Sequence, residues 1–207
     1  MKIIYEPVKF KVNTKKLLES LKNYENSFIT YTAQYAHLFN NLKNSALVLG
    51  CNVKKANKFK GKTIIFVGDG VFHALMIKKE NLSKKVIILN PKDLTEKEVL
   101  ESDVKNFINR EFIALERLKH AKKVGIIAST KPGQERIKTC ETIKKKLEAQ
   151  GKIVYLFIAD SINPEEFMNY SGLDILINTA CSRIGLDDYS KFNKPVINYE
   201  LVLSKYF

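Results

Sequence analysis

Two apolar runs that each end at a cysteine decide the fold of this chain. The first is Ala46-Leu47-Val48-Leu49-Gly50-Cys51-Asn52, and the second is Asp174-Ile175-Leu176-Ile177-Asn178-Thr179-Ala180-Cys181. Continuous apolar runs of this length are typical of strands covered on both faces, which belong to parallel sheets. Each cysteine is therefore predicted to follow a buried strand, where open α/β sheets have the crevice that binds ligands.

The cysteines allow two interpretations. Thiolates from two separate units favour an iron–sulfur cluster, because soft sulfur ligands select such metals. The alternative is that Cys51 and Cys181 are small buried apolar residues, as free cysteines often are. No CxxC pair joins them, so the spacing alone leaves both interpretations open. Cys140 shares a helical face with Ile143 and Leu147, and we predict that it lies in the core.

Short apolar runs alternate with longer amphipathic stretches along the chain, which is the pattern of βαβ units. We predict strands at Ile3–Tyr5, Phe28–Thr32, Ala46–Leu49, Thr63–Val67, Val86–Leu89, Val124–Ala128, Ile153–Ile158, Asp174–Ile177 and Pro195–Asn198. We predict helices at Asn13–Asn23, at Leu94–Lys122 with Thr95 and Glu98 as a capping box, and at Gln134–Gln150, ended by Gly151.

The predicted fold class is α/β, with two tandem small units that each contain a parallel sheet. The boundary is placed near Asn90–Asp93, where the long predicted helix begins. Residues 1–93 then form the unit that carries Cys51, with residues 1–12 as a strand and a lead-in. Residues 94–207 form the unit that carries Cys181.

Composition limits the classes of protein that this chain can belong to. The 207 residues are 45% hydrophobic and 28% charged, which is ordinary for a globular protein. No apolar run reaches the ~20 residues that span a bilayer. Met1–Pro7 meets charges and a proline too early for a secretory signal, so we expect no membrane association and a reducing cytoplasm.

The net charge of +13 comes from 35 basic and 22 acidic residues. Such a charge favours either nucleic acid or an acidic protein as partner. The lysines are scattered over predicted helix faces, without the arginine forks and stacking aromatics of specific nucleic-acid sites. We therefore expect a solvated basic surface rather than a nucleic-acid site, and this surface can still steer the chain toward an acidic protein.

Two loops after predicted strands have the composition of ligand-binding loops. In Gly68-Asp69-Gly70-Val71-Phe72-His73, two glycines let the backbone approach an anionic group, although such a turn also simply reverses a chain. His73 is either a ligand contact or a structural histidine. In Ser129-Thr130-Lys131-Pro132-Gly133-Gln134, hydroxyls and a helix N-terminus suit a carboxylate or phosphate. Ser129 and Thr130 are equally good helix caps.

Taken together, these loops resemble the diphthamide synthase family, whose archaeal and eukaryotic members begin diphthamide synthesis on elongation factor 2. The resemblance rests on Gln34-Tyr35-Ala36-His37-Leu38, Leu49-Gly50-Cys51-Asn52, Gly68–His73, Ser129–Gln134, Asn178–Ile184, Asp187–Ser190 and Lys194-Pro195-Val196. Their order and spacing span nearly the whole chain.

The resemblance implies three similar α/β domains, each giving one cysteine to a shared 4Fe-4S cluster. That cluster binds S-adenosylmethionine and cleaves it, which releases a 3-amino-3-carboxypropyl radical that adds to a histidine of elongation factor 2. On this resemblance Cys51 and Cys181 are metal ligands of the second and third domains. The cofactor-binding residues that it implies are Gly68, Gly70, His73, Ser129, Thr130, Gly133 and Gln134.

One departure from the family leaves several functions open. The chain is expected to begin near the end of the family's first domain, so the third cysteine has no counterpart. Another ligand would come from Cys140, a partner chain or a small molecule. We therefore expect an aminocarboxypropyl transferase or a cluster-bearing subunit, as a homodimer or as a heterodimer with a full-length relative. The alternatives are a non-catalytic paralogue and an enzyme with another acceptor.

Overall fold

The computed structural model describes residues 4, 6, 8–39, 42–49 and 53–207. The chain divides into two compact units, Met1–Lys105 and Asn106–Phe207. Ile3 and Tyr5 of the predicted strand Ile3–Tyr5, and the predicted metal ligand Cys51, lie outside the described residues. The division falls after the predicted boundary at Asp93, because an extra strand joins the first sheet.

The first unit contains a sheet of five strands in the order β2-β1-β3-β4-β5. Its strands are β1 (Phe28–Tyr31), β2 (Ser45–Leu47), β3 (Thr63–Val67), β4 (Lys85–Leu89) and β5 (Glu96–Val99), and its helices are α1 (Thr14–Lys22), α2 (Ala36–Phe39), α3 (Lys54–Asn57) and α4 (Phe72–Glu80). β1 to β4 pair in parallel, as predicted, and β5 pairs antiparallel with β4. The side chain of Asn13 caps α1 by accepting from Lys16 N at 3.1 Å.

The long helix predicted at Leu94–Lys122 is wrong at its N-terminal end. Residues Glu96–Val99 form β5, and helix α5 runs over Glu101–His120. The capping-box pattern of Thr95 and Glu98 is therefore coincidental. Asp103 takes that role, since its Oδ2 accepts from Leu100 N at 2.8 Å. Charged side chains at three of the four β5 positions leave this edge strand mostly exposed.

The second unit contains a four-stranded sheet in the order β7-β6-β8-β9, with every pair parallel. Its elements are β6 (Lys123–Ser129), α6 (Ile137–Glu148), β7 (Ile153–Ala159), β8 (Ile175–Asn178), β9 (Val196–Asn198) and α7 (Tyr199–Lys205). Gly151 ends α6 with a φ of +80°, which confirms its predicted role. Cys140, Ile143 and Leu147 are fully buried against the sheet, so the predicted core face of α6 is confirmed.

Three lysines each donate to two main-chain carbonyls at helix ends and turns. The Lys78 ammonium donates to the carbonyls of Leu82 and Lys84. The Lys84 ammonium donates to those of Ala56 and Phe59, and the Lys152 ammonium to those of Lys119 and Ala121. These six distances are 2.6–3.4 Å. Burial lowers the pKa of Lys84 and of Lys152. Among the described residues, no helix combines the length and apolar character needed to cross a membrane.

Candidate functional site

The strand order of the second sheet reverses between β6 and β8, because the chain passes from β6 to the edge strand β7 and then returns to β8 on the other side of β6. At such a point the loops after the two central strands separate and leave a crevice at the carboxyl edge. The loop after β6 is Thr130–Arg136, and the loop after β8 contains Cys181. The structure therefore brings together two of the loops that the sequence predicts as functional.

The main chain around Cys181 is held by a pair of buried asparagines. Asn178 Nδ2 donates to Asn198 Oδ1 at 2.7 Å and to the Cys181 carbonyl at 2.9 Å. Asn178 Oδ1 accepts from Ala180 N at 3.1 Å, and Asn198 Nδ2 donates to the Ser182 carbonyl at 2.9 Å. The pair fixes a loop whose half-buried thiol lies at its centre.

Arg136 joins the two loops at the switch point. Its Nη1 donates to the carbonyls of Gln134, Thr179 and Ala180 at 3.1–3.3 Å. The guanidinium also lies 5.2 Å from the centre of the Tyr199 ring, at the start of α7. Burial raises the pKa of Tyr199, Glu200 adds to the rise, and Arg136 opposes it. One cation thereby couples the ends of β6, β8 and β9.

Cys140 lies beneath this loop as a hydrogen-bond donor. Thr179 Oγ1 donates to the Ile127 carbonyl at 2.8 Å, so its proton is used. The Cys140 thiol, 3.0 Å from the same Oγ1, therefore donates to it. Burial raises the pKa of the Cys140 thiol. A fully buried, protonated thiol is a poor metal ligand, which separates Cys140 from Cys181.

The predicted residues of the loop after β6 have different surroundings. Ser129 is buried, and its hydroxyl donates to the Asp160 carbonyl at 3.3 Å and accepts from Lys131 N at 3.1 Å. This is a local turn contact, and the helix-cap alternative for Ser129 is wrong, because α6 begins at Ile137 and has no side-chain cap. Thr130 and Gly133 are exposed, and Gln134 is half-buried. Gly133 has a φ of +79°, a conformation that favours glycine.

The glycine loop of the first unit follows β3, at the corresponding switch point between β1 and β3. A Cβ at Gly68 would lie 2.7 Å from Cζ of the fully buried Phe66, so any side chain here would displace that ring. Nothing lies within 4 Å of a Cβ at Gly70, which leaves that side of the loop open. The ring of His73 lies 5.6 Å from that of Phe66 and 5.3 Å from that of Phe72, so its ring packs among aromatics.

A polar cluster that the sequence does not reveal lies beside this glycine loop. Lys92 Nζ donates to Asp69 Oδ2 at 3.0 Å and lies 5.3 Å from the centre of the Phe10 ring. The hydroxyl of Tyr35 is buried and has no hydrogen-bond partner among the described residues. Burial and the charge of Asp69 raise the pKa of Tyr35, and Lys92 opposes the rise.

A cavity of about 360 Å³ in the second unit lies away from the predicted ligand-binding residues. It lies between α5 and the segment 185–198, and its lining includes Asn198, whose side chain donates to the Ser182 carbonyl of the Cys181 loop. The Arg110 guanidinium lies 3.7 Å from the centre of the Tyr189 ring in its wall. None of the predicted ligand-binding residues lines this cavity.

The described donors fit an iron–sulfur cluster only in part. Cys181 offers one accessible thiolate from the second unit, and a cluster normally needs several. Within the described ranges, no group of three or more histidine, cysteine and acidic residues has the arrangement of a metal site. A cluster on this chain therefore needs Cys51 or groups from another molecule.

These features define a class: proteins built of tandem open α/β sheets, with a thiol presented at a sheet switch point. Residues 1–204 match the family of diphthamide synthesis proteins, and the chain belongs to that family. The resemblance read from the loop motifs is thereby confirmed.

Two archaeal relatives show how much of the family this chain covers. A 2-(3-amino-3-carboxypropyl)histidine synthase of Methanocaldococcus jannaschii is 34% identical over 196 residues, which are 89% of this chain and 55% of that protein. The synthase of Pyrococcus horikoshii is 33% identical over 150 residues, 72% of this chain and 42% of that protein. The chain spans about half the length of the curated relatives it matches.

The fold agrees with that of a solved structure. The crystal structure of Dph2 from Pyrococcus horikoshii with a 4Fe-4S cluster superposes with a TM-score of 0.73 at 24% identity, and the match covers 100% of this chain and 70% of that one. The mixed α/β fold with parallel sheets is thereby confirmed.

Sequence reasoning identified the loops and missed the residues that hold them. Arg136, Asn178 and Asn198 were not singled out, although a signal for the asparagines exists. Each is a polar residue directly after a run of buried residues in adjacent parallel strands, and the register pairs them. No comparable signal marks Arg136, because two of its three carbonyl partners, Thr179 and Ala180, lie more than forty residues away in the chain.

Proposed function

We propose that this chain supplies thiolate ligands to a 4Fe-4S cluster in a 3-amino-3-carboxypropyl transfer reaction on elongation factor 2, the first step of diphthamide synthesis. The observation that carries the proposal is the half-buried Cys181 thiol at the switch point of the second sheet. The names of the relatives and the cluster in the Pyrococcus horikoshii structure support it.

In this proposal Cys51 and Cys181 are the metal ligands contributed by the chain. When bound, the cluster supplies the electron that breaks a carbon–sulfur bond of S-adenosylmethionine. Asn178 and Asn198 hold the Cys181 main chain, and Arg136 ties it to the loop after β6. A loop fixed by buried hydrogen bonds presents its thiolate without a further ordering cost.

The remaining loop residues are proposed to bind S-adenosylmethionine. Thr130, Gly133 and Gln134, with the N-terminus of α6, suit its carboxylate, and α6 has no side-chain cap to compete. The Ser129 hydroxyl accepts a hydrogen bond from Lys131 N and thereby holds the main chain of this loop. Gly68, Gly70 and His73 of the first unit are also proposed as cofactor-binding residues.

Partners complete the proposal. A third thiolate would come from a second copy or from a full-length relative, as a homodimer or a heterodimer. The charge of +13 supports the approach of an acidic protein such as elongation factor 2. We further propose that the reaction takes place in the cytoplasm.

The proposal is tested by purifying and reconstituting the protein without oxygen and measuring iron, acid-labile sulfide and the EPR spectrum. We expect Cys181→Ser and Cys51→Ser to lose the cluster. Cys140→Ser is the matched control, because serine keeps the hydrogen bond to Thr179, and it should retain the cluster. An iron-free protein, alone and with a full-length relative, would contradict the proposal.

A second candidate function is a cluster-free binding or assembly subunit. It is favoured by the burial and hydrogen bond of Cys140, which leave Cys181 as the one accessible thiol among the described residues. In that case Cys51→Ser and Cys181→Ser would leave the affinity for the partner unchanged. Binding of the full-length relative, measured with and without iron, separates the two candidates.

A further inference from the structure

The cavity between α5 and the segment 185–198 has the composition of a site for a small molecule. Its volume of about 360 Å³ lies within the range of ligand pockets, about 300–1,000 Å³. Its apolar wall includes Ile113, Phe192, Pro195 and Val196. A cavity of this kind accepts a flat apolar group and orients it through a few polar contacts.

The charged side chains that line this cavity are mainly basic. They are three basic residues, Arg110, Arg117 and Lys194, and one acidic residue, Glu111. Lys194 donates to the Ser171 carbonyl at 3.3 Å, whereas the Arg117 guanidinium has no partner among the described residues. The excess of positive charge favours an anionic group, and a guanidinium is well suited to a phosphate.

Arg110 and Tyr189 form a planar surface on one side of the cavity. The Arg110 guanidinium lies 3.7 Å from the centre of the Tyr189 ring, and its Nε donates to the Asn106 carbonyl at 3.2 Å. The same guanidinium lies 5.5 Å from the centre of the Phe107 ring. These contacts fix its orientation, and a guanidinium plane is a favourable surface for stacking an aromatic ligand.

The two guanidinium groups are spaced along one face of α5. Arg110 and Arg117 are seven residues apart, which is about two helical turns and about 10 Å along the helix axis. Ala114 lies between them on this face and adds only a methyl group to the wall. A compound with an aromatic ring at one end and a phosphate at the other can therefore contact both guanidinium groups.

The edge strand β9 offers main-chain groups to the same cavity. Leu176 N donates to Pro195 O at 2.9 Å, so the main chain of Pro195 faces β8. Main-chain groups alternate in direction along a strand, and those of Val196 therefore face away from β8. Val196 lines the cavity, and no strand pairs with this side of β9 among the described residues. Its N–H and carbonyl suit the acceptor and donor atoms of a nucleobase.

The segment that closes the cavity is held by its own hydrogen bonds and close packing. The amides of Asp187 and Asp188 donate to Arg183 O at 2.7 and 3.1 Å. Gly185 packs against Asn198 so closely that a Cβ there would lie 2.5 Å from Asn198 Oδ1. A wall that is ordered before the ligand arrives spares the entropic cost of ordering it on binding.

We propose that this cavity binds a nucleoside monophosphate, with the base on the Arg110–Tyr189 surface beside Val196 and the phosphate on Arg117. The charge of the cavity separates this ligand from S-adenosylmethionine. That cofactor carries a sulfonium and an ammonium group against one carboxylate, so three basic side chains disfavour it.

The test is isothermal titration calorimetry of the whole chain, without metal, with UMP, uridine and inorganic phosphate. UMP is the probe because AMP shares adenosine with S-adenosylmethionine and could occupy the loops proposed for that cofactor. We expect UMP to bind with a Kd below about 1 mM, and uridine and phosphate each to bind at least about tenfold more weakly. The measurement needs no iron, so its outcome is separate from that of the cluster test.

Two variants separate the two ends of the site. Arg117→Met keeps an unbranched apolar side chain and should weaken UMP about tenfold or more while leaving uridine unchanged. Arg110→Met should weaken both compounds, because it removes the stacking surface. Lys145→Met removes the same charge from an exposed position on α6. It is the matched control and should bind UMP as the natural protein does.

Chemical-shift mapping by NMR locates the site without a variant. UMP should shift the amide signals of Gly185, Ser190 and Asn193, which line the cavity, and leave those of Thr130 and Gln134 unchanged. No binding at about 10 mM UMP would overturn the proposal. So would shifts at Thr130 and Gln134 in place of the cavity, or equal weakening in Arg117→Met and Lys145→Met.

Discussion

Asn178→Ala removes the centre of the hydrogen-bond network that holds the Cys181 loop. The substitution deletes contacts to Asn198 Oδ1, the Cys181 carbonyl and Ala180 N, at 2.7, 2.9 and 3.1 Å. Each buried hydrogen bond contributes about 1 kcal/mol, so we expect a loss of about 3 kcal/mol in the free energy of unfolding of the second unit. That loss corresponds to about a hundredfold rise in the unfolded population.

The fully buried Cys140 gives an assay that reports on the second unit alone. In a Cys51→Ser, Cys181→Ser background, thiol labelling of Cys140 requires that its core opens. The labelling rate as a function of urea then gives the free energy of opening. Asn169→Ala, at an exposed asparagine, is the control. A change below about 1 kcal/mol in Asn178→Ala would refute the network as the support of the loop.

Two further predictions concern the first unit. The Tyr24 hydroxyl donates to Glu96. Burial is the larger cause and this hydrogen bond the next, and together they raise the pKa of Tyr24 from 10.0 to about 12. The pKa of Tyr24 is higher in the folded than in the unfolded state, so its contribution to stability is complete below about pH 10 and is lost as the pH approaches 12. Urea unfolding across this range should show a decline in the free energy of unfolding of the natural protein and a smaller decline in Tyr24→Phe. Gly68→Ala forces a Cβ to 2.7 Å from Phe66 and should cost about 1–3 kcal/mol in urea unfolding, whereas Gly70→Ala, with open space around it, should cost little.

Each of these two predictions has an outcome that contradicts it. An equal alkaline decline in Tyr24→Phe would assign the loss to other groups. Equal stabilities of Gly68→Ala and Gly70→Ala would mean that the ring of Phe66 moves without cost.

Parallel strands were predictable because burial on both faces leaves a continuous apolar run. Thr63–Val67 matches β3 at both ends for this reason. β5 was missed because an edge strand with Glu-Lys-Glu-Val is not an apolar run, and Thr95 with Glu98 imitates a helix start. Its pairing with β4 is a tertiary effect that local propensity does not report.

The loops of the candidate site could be predicted from the sequence, but the contacts between their residues could not. Strand ends locate the Cys181 loop, because ligand crevices form at the carboxyl edge of a parallel sheet. The contacts of Arg136 with Thr179 and Ala180 depend on how two βα units lie side by side, and no local pattern encodes that distance. The buried Tyr35 hydroxyl and the Asp69–Lys92 pair were missed for the same reason.

The lysine amines of this basic chain differ in their accessibility to reagents, because some of them donate to main-chain carbonyls. Most ammonium groups are on the surface and open to acylating reagents, but Lys78 is only 6% exposed and donates two hydrogen bonds. Acetylation there would remove the charge and leave one amide N–H for the two carbonyls. In a lysine-footprinting experiment on the native protein, Lys78, Lys84 and Lys152 should therefore be modified last, and their labelling should coincide with loss of structure.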